Sequence, residues 1–146
     1  MNSKELFIKD TTVIKKSDNL FTAEVSENWS IGNTANGGYS MTLAAKAMSE
    51  FLDHKDPLSI SAHYLDRVDF GATELHITFL SSSKSLSTAR VEMIQNKKIK
   101  IIFIGTFTNF AFKNDLNIYD REIPDFPDYD SCEVIPYKEG FNPKLD

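Results

Sequence analysis

Four consecutive residues have types and spacing that suggest chemistry: Asn36, Gly37, Gly38 and Tyr39, which lead directly into an apolar segment. Paired glycines let a ligand approach the first free backbone N–H groups of a helix, which carry the positive end of its dipole. The pattern therefore predicts an anion or oxyanion site. Asn-Gly is also a common turn signal, and a glycine pair before a helix often only turns the chain, so the glycines alone leave both interpretations open.

Few side chains could complete such a site. His63 and Asp66 are weak candidates for a catalytic pair, because they lie on or after a predicted strand and His with Asp can act as base and orienter. Asp66, Arg67 and Asp69 also fit a solvated strand end with local ion pairing, and His63 also fits a hydrogen-bonded structural residue on a strand face. No metal-ligand spacing occurs, so neither a metal nor another cofactor is predicted. We expect His54 and His76 to be surface residues, and Ser85 and Ser87 to have no base partner.

The segment from Ser40 to Asp53 must position the glycine corner. Its polar residues fall on one narrow stripe at helical spacing, and small or apolar residues cover the remainder. Such a helix must be buried on most sides, and its alanines let a sheet approach closely. We expect one long buried helix with an accessible N-terminus, and Trp29 capping the core beside that entrance.

Alternation of apolar and polar residues on both sides of the helix predicts an antiparallel sheet and an α+β fold. The strand nearest the C-terminus is apolar on both faces, so it must lie centrally or at an interface. The predicted strands are Thr11 to Lys15, Leu20 to Ser26, Leu58 to Arg67, Glu74 to Phe79, Thr88 to Met93 and Ile99 to Phe110.

Composition bounds the function. A chain of 146 residues, 41% of them hydrophobic, supports one sizeable core. The net charge of −5 resides in residues 111–146, which also hold four of the five prolines and form a predicted acidic tail or linker. Without a basic patch, nucleic acid is not an expected partner. We expect no membrane span, because no apolar run reaches about 18 residues. We also expect a cytoplasmic protein, because the N-terminus is charged and the chain has a single cysteine.

Several short motifs, taken in order, resemble those of thioesterase-like proteins. The resemblance extends from about Leu20 to Phe110 and is to the N-terminal half of bacterial acyl-CoA thioesterase II, a double-hotdog protein. It implies a hotdog domain over residues 1–110, with one long buried helix wrapped by a five- to six-stranded antiparallel sheet. The motifs are Phe21-x-Ala-Glu-Val, Trp29-Ser-Ile-Gly, Asn36-Gly-Gly-Tyr, Asp56-Pro-Leu-Ser, His63-Tyr-Leu, Gly71 and the run from Ser85 to Asn96.

The resemblance implies that an acyl-CoA thioester lies at the seam between two hotdog modules. Backbone N–H groups near Gly38 and Tyr39 would polarise the thioester carbonyl, so Asn36, Gly37, Gly38 and Tyr39 are the expected substrate-binding residues. Single-module relatives carry an acid about two turns into the helix, whereas residues 43–47 here read Leu-Ala-Ala-Lys-Ala.

Double-hotdog relatives keep catalytic Asp, Thr and Gln in their second module. At the strand position that corresponds to that Asp, this chain has Ser59 or Ile60, neither of which can replace a carboxylate base. The catalytic residues are therefore unknown from sequence.

Three functions remain open: an acyl-CoA thioesterase or one half of such an enzyme, a non-catalytic hotdog that binds acyl-CoA or pairs with another module, and a hotdog dehydratase or hydratase. A lone hotdog leaves a sheet edge and the helix mouth open. We therefore expect a homodimer, a dimer of dimers or a second hotdog module as the partner.

Overall fold

The computed structural model describes residues 2–111, 122 and 124–132. The chain divides into two compact units, Met1–Phe112 and Lys113–Asp146, and most of the predicted acidic tail lies outside the described residues. No helix in the described ranges is long and apolar enough to cross a membrane. The first unit contains, in chain order, α1 (Ser3–Asp10), β1 (Val13–Ser17), β2 (Leu20–Val25), β3 (Ser30–Ile31), β4 (Thr34–Ala35), α2 (Gly37–Phe51), β5 (Asp56–Tyr64), β6 (Gly71–Ser82), β7 (Ser87–Gln95) and β8 (Lys98–Thr108).

Six strands form one antiparallel sheet in the order β1-β2-β6-β7-β8-β5, and α2 contacts all six of them. The predicted architecture, one long buried helix wrapped by an antiparallel sheet, is therefore confirmed. Strand β8 pairs with β7 on one side and β5 on the other, as its two apolar faces predicted. Strands β1 and β5 are the two edges of the sheet.

The structure corrects several predicted boundaries. Helix α2 begins at Gly37, not at Ser40, because the side chain of Asn36 caps it. The strand after the link at Gly71 is much longer than predicted and runs to Ser82. Helix α1 was not predicted, although its capping box between Asn2 and Glu5 is a recognisable start signal.

The core lies between α2 and the sheet face that it covers. Helix and sheet approach closely at Gly105 of β8, where a Cβ would overlap the sulfur of Met48 and lie 3.1 Å from the ring of Phe107. A side chain at Gly105 would therefore require Met48 to shift. The largest fully buried apolar side chains are Phe21, Phe103, Phe107, Leu43, Met48, Leu75, Met93, Ile101, Val25 and Val91.

Replacing Gly105 by alanine should destabilise the fold, because the added methyl must displace Met48 in a filled core. Overpacking of this kind costs about 1–3 kcal/mol. Chemical denaturation measures the change, with Ser59→Ala, at an exposed position of the adjacent strand β5, as the control. A Gly105→Ala variant as stable as the unmodified protein would contradict the close helix–sheet contact.

Candidate functional site

The glycine corner forms the N-terminus of α2. The Oδ1 atom of Asn36 accepts hydrogen bonds from the N–H groups of Gly38 at 2.8 Å and Tyr39 at 3.3 Å. The N–H of Gly37 has no hydrogen-bond partner within the described part of the chain. The first turn therefore presents one open donor, at Gly37, beside two donors that Asn36 already satisfies.

A cavity of about 380 Å³ lies at this N-terminus. The side chain of Tyr64, at the end of edge strand β5, lies directly against Gly37, where a Cβ would be 2.9 Å from the tyrosine Oη. Both residues are in the cavity wall, and the Tyr64 residue is 55% exposed. The cavity thus joins the open helix donor to the free edge of the sheet. The remaining lining residues are Thr34, Ala35, Leu65, Asp66, Arg67, Val68 and Ile101.

A second cavity, of about 440 Å³, lies on the other side of the corner and is lined by Asn36, Gly38 and three aromatic rings. Trp29 stacks on Tyr39 with ring centroids 6.2 Å apart, and Phe7 of α1 meets Trp29 edge-on at 5.0 Å. Trp29 therefore packs against the core beside the helix entrance, as predicted.

Asp10, the last residue of α1, holds this aromatic wall in place. Its Oδ2 atom accepts hydrogen bonds from Asn28 Nδ2 at 2.9 Å, Ser26 Oγ at 2.9 Å and Trp29 Nε1 at 3.0 Å. Tyr39 Oη donates to the backbone oxygen of Asp10 at 2.7 Å and accepts the N–H of Ser26 at 3.1 Å. Burial raises the pKa of the Tyr39 phenol, which keeps it a neutral donor.

The Asp10 contacts reach the helix corner through one further bond. The backbone N–H of Asn36 donates to the backbone oxygen of Trp29 at 2.8 Å. The carboxylate of Asp10 thus orients Trp29, and Trp29 in turn fixes the residue that caps α2. Hydrogen bonds from Asn28, together with those from Ser26 and Trp29, lower the pKa of Asp10 despite the opposing effect of burial.

The predicted candidates His63 and Asp66 do not form a pair within the described residues. His63 alternates with Tyr64 along β5, so its side chain lies on the sheet face opposite to the cavity and α2. Asp66 does line the cavity, but its Oδ2 atom is 3.0 Å from both Lys98 Nζ and Lys100 Nζ. These hydrogen bonds hold the pKa of Asp66 well below its usual range, which makes the carboxylate a poor base near neutral pH.

A polar contact that sequence reasoning missed lies at the opposite end of α2. The Nδ1 atom of His54 is 2.6 Å from Ser87 Oγ, and Ser87 Oγ is 3.1 Å from Ser82 Oγ. His54 is thus not a plain surface residue, and Ser87 does have a histidine partner. No local signal could reveal the pair, since 33 positions separate the two residues. Ser87 is only 1% exposed, so the contact fastens the β6–β7 turn and does not present a nucleophile.

Within the described ranges, no group of three His, Cys, Asp or Glu side chains is arranged to hold a metal ion. The assignment of residues 36–39 to substrate binding stays a prediction.

The sequence profile of the acyl-CoA thioesterase N-terminal domain family matches residues 25–110. This range includes α2, the glycine corner and the strands of the sheet from β5 to β8. No curated protein sequence matches the chain.

Solved structures share the fold. A thioesterase II from Thermobifida fusca is 21% identical, with a TM-score of 0.71 over 82% of this chain and 45% of that one. The tesB protein of Mycobacterium avium subs paratuberculosis is 18% identical, with a TM-score of 0.74 over 88% of this chain and 50% of that one. A hot dog fold protein of unknown function from Alicyclobacillus acidocaldarius is 13% identical, with a TM-score of 0.75 over 86% of this chain and 47% of that one. The chain therefore spans about half the length of these proteins.

The stabilising effect of Asp10 should depend on pH. Because its folded pKa lies below the unfolded value of about 3.9, its contribution is present above that value and is lost as the pH falls through the folded pKa. Asp10→Asn should therefore lower the free energy of unfolding at neutral pH, and the difference from the unmodified protein should shrink below pH about 4.

Denaturant titrations across this pH range measure the difference. Asp53→Asn serves as the control, because Asp53 is exposed at the other end of α2. A destabilisation by Asp10→Asn that is the same at all pH values would contradict a role for the ionised carboxylate.

Proposed function

Because the chain belongs to the acyl-CoA thioesterase N-terminal domain family, we propose that it binds an acyl-CoA thioester at the glycine corner and takes part in its hydrolysis. The observation that carries the proposal is the open N–H of Gly37 in the wall of a mainly apolar cavity. A helix N-terminus in such a position attracts the partial negative charge of a carbonyl oxygen.

In the proposed complex, the thioester carbonyl accepts the hydrogen bond of Gly37. The side-chain oxygen of Asn36 accepts the N–H groups of Gly38 and Tyr39 and so keeps them aligned. Together with the N–H of Gly37, these groups form the positive end of the helix. The acyl group lies against Leu65, Val68 and Ile101, which line the cavity. Water attacks the carbonyl carbon, the oxyanion forms on the Gly37 side, and the carbon–sulfur bond breaks to release the acid and the CoA thiol.

The proton that the attacking water loses must go to a base from outside the cavity wall described above. Asp66 is the one carboxylate in that wall, and its pKa is lowered by two lysines. We therefore place the base on a second hotdog module. This placement agrees with a chain that spans about half the length of the thioesterases it matches in fold.

The free edge of β5 is the proposed pairing surface for that module. The other edge, β1, carries Lys15 and Lys16, and charged side chains of this kind protect an edge from pairing. Between Pro57 and Tyr64, β5 carries no Lys, Arg, Asp or Glu, and Leu58 and Tyr64 are more than half exposed. A second copy of the chain is the simplest partner, since identical edges pair about a two-fold axis.

A non-catalytic module that binds acyl-CoA or pairs with an active partner is the second candidate. It is favoured by the lack of a base other than the ion-paired Asp66 in the cavity wall. A dehydratase or hydratase is not favoured, because His63 lies on the opposite face of the sheet.

Thiol release from acyl-CoA substrates of increasing chain length tests the proposal, alongside calorimetric measurement of binding. Gly37→Ala should lower turnover, or binding if the chain is inactive alone, by about tenfold or more, because the new methyl moves Tyr64 and narrows access to the donor. Lys46→Ala, at an exposed position of the same helix, is the control. Binding without turnover would favour the non-catalytic module, whereas neither binding nor turnover would reject the proposal.

Sedimentation tests the pairing of β5. We expect at least a dimer at micromolar concentration, and the double variant Ser59→Lys with Ser61→Lys should weaken it by about tenfold or more, because like charges then face each other across the axis. Ser17→Lys, on the β1 edge, should leave the dimer intact. A monomeric unmodified chain would exclude pairing with itself.

A further inference from the structure

The hydroxyl group of Tyr64 lies at the glycine corner and has no hydrogen-bond partner within the described residues. Tyr64 is the last residue of β5, where it pairs with Ile101 of β8. The residue is 55% exposed and lies in the wall of the cavity at Gly37. Its phenol therefore has a hydrogen bond to donate to a ligand in this cavity.

Other hydroxyl groups near the corner already donate to the protein. Tyr39, which is 4% exposed, donates its Oη–H to the backbone oxygen of Asp10 at 2.7 Å. Thr34, which also lines the cavity, donates its Oγ1–H to the backbone oxygen of Val68 at 2.9 Å. These two hydroxyl groups hold the corner together, whereas the hydroxyl of Tyr64 remains available.

The hydroxyl end of the Tyr64 ring occupies the space beside Gly37. A Cβ at Gly37 would be 2.9 Å from Oη and 3.0 Å from both Cε1 and Cζ of the tyrosine. A Cβ at Gly38 would instead lie 3.2 Å from Oδ1 of Asn36. The first glycine of the pair thus admits the phenol to the first turn of α2, and any side chain there would displace it.

Tyr64 Oη and the N–H of Gly37 are close enough to bind the same oxygen atom. A backbone nitrogen is about 2.5 Å from the Cβ position of its own residue, so Oη is no more than about 5.4 Å from the nitrogen of Gly37. Two hydrogen bonds to a shared acceptor span up to about 5.6 Å. The Cβ directions and the N–H groups of a helix both tilt toward its N-terminus, so the two donors lie on the same open side of the first turn.

We propose that Tyr64 is a catalytic residue whose Oη–H donates a second hydrogen bond to the thioester carbonyl oxygen, beside the N–H of Gly37. The inference rests on the proposed function, because the carbonyl must first lie at Gly37. The phenol keeps its proton throughout. It donates to the carbonyl oxygen of the substrate, donates more strongly to the oxyanion once water has attacked the carbon, and stays in place when the carbon–sulfur bond breaks. A donor to the developing charge raises turnover more than it strengthens substrate binding.

Tyr64→Phe tests this role, because it removes the hydroxyl and keeps the ring beside Gly37. If the chain releases thiol, kcat should fall by about tenfold or more and KM should change by less than about threefold, since the lost bond is strongest in the transition state. Tyr129→Phe makes the same change at a residue that is 88% exposed, and it should leave kcat unchanged.

Two binding probes give a readout that does not need turnover. Calorimetry on the full chain compares a ketone analogue of the acyl-CoA, in which a methylene replaces the thioester sulfur, with an S-alkyl-CoA of the same length, which has no carbonyl oxygen. The unmodified protein should bind the ketone more tightly. Tyr64→Phe should reduce this preference by about three- to tenfold, the range expected for one hydrogen bond, and leave the affinity for the S-alkyl-CoA unchanged.

The infrared stretch of the bound ketone carbonyl reports the hydrogen bond directly. It should move to higher frequency in Tyr64→Phe than in the unmodified protein, because the carbonyl is then less polarised, and it should not move in Tyr129→Phe.

The outcomes separate the role of Tyr64 from the proposed function. A ketone preference and a carbonyl frequency that Tyr64→Phe leaves unchanged would overturn the inference and leave carbonyl binding at Gly37 standing. An equal loss of affinity for both analogues would also overturn it, since Tyr64 would then only pack against the ligand. Failure of both analogues to bind, or equal affinity for the two in the unmodified protein, would overturn carbonyl binding at Gly37 and the inference with it.

Discussion

The close packing of α2 against the sheet at Gly105 is the constraint on which the rest of the structure depends. Met48 occupies the space that any larger residue at Gly105 would need, and the helix contacts all six strands of the sheet. These contacts fix the position of the helix relative to the sheet. Gly37 therefore meets Tyr64 of β5 at the free edge of the sheet.

Two separate segments then shape that N-terminus from opposite sides. On one side, Asp10 of α1 orients Trp29, whose backbone oxygen holds Asn36. On the other, the link after β5 is bound to Lys100 of β8 and, through Val68, to β4. Among the described residues that line the cavity, Gly37 offers an open donor, Asp66 is ion-paired to two lysines, and no histidine is present. A helix terminus of this kind suits the binding and polarisation of a carbonyl group, and in the function proposed above a second module supplies proton transfer.

Much of the architecture could be predicted because its signals are local. The single polar stripe between Ser40 and Asp53 required a buried helix, and the apolar faces of the strand after Ile99 required a central position. Boundaries were less accurate because caps depend on one side chain: Asn36 starts the helix three residues before the apolar periodicity does. Helix α1 had its own local signal in Asn2 and Glu5, which the charged composition of the segment obscured.

The sequence by itself determined a long buried helix packed on an antiparallel sheet and drew attention to the glycine corner, because periodicity and glycine chemistry act over a few neighbouring residues. Only the tertiary structure decided which groups surround that corner. It placed Tyr64 on Gly37, turned His63 to the far face, and joined Asp66 to two lysines from another strand. These outcomes depend on strand register and on contacts between residues far apart in the chain, where a shift of one position moves a side chain to the opposite face of the sheet.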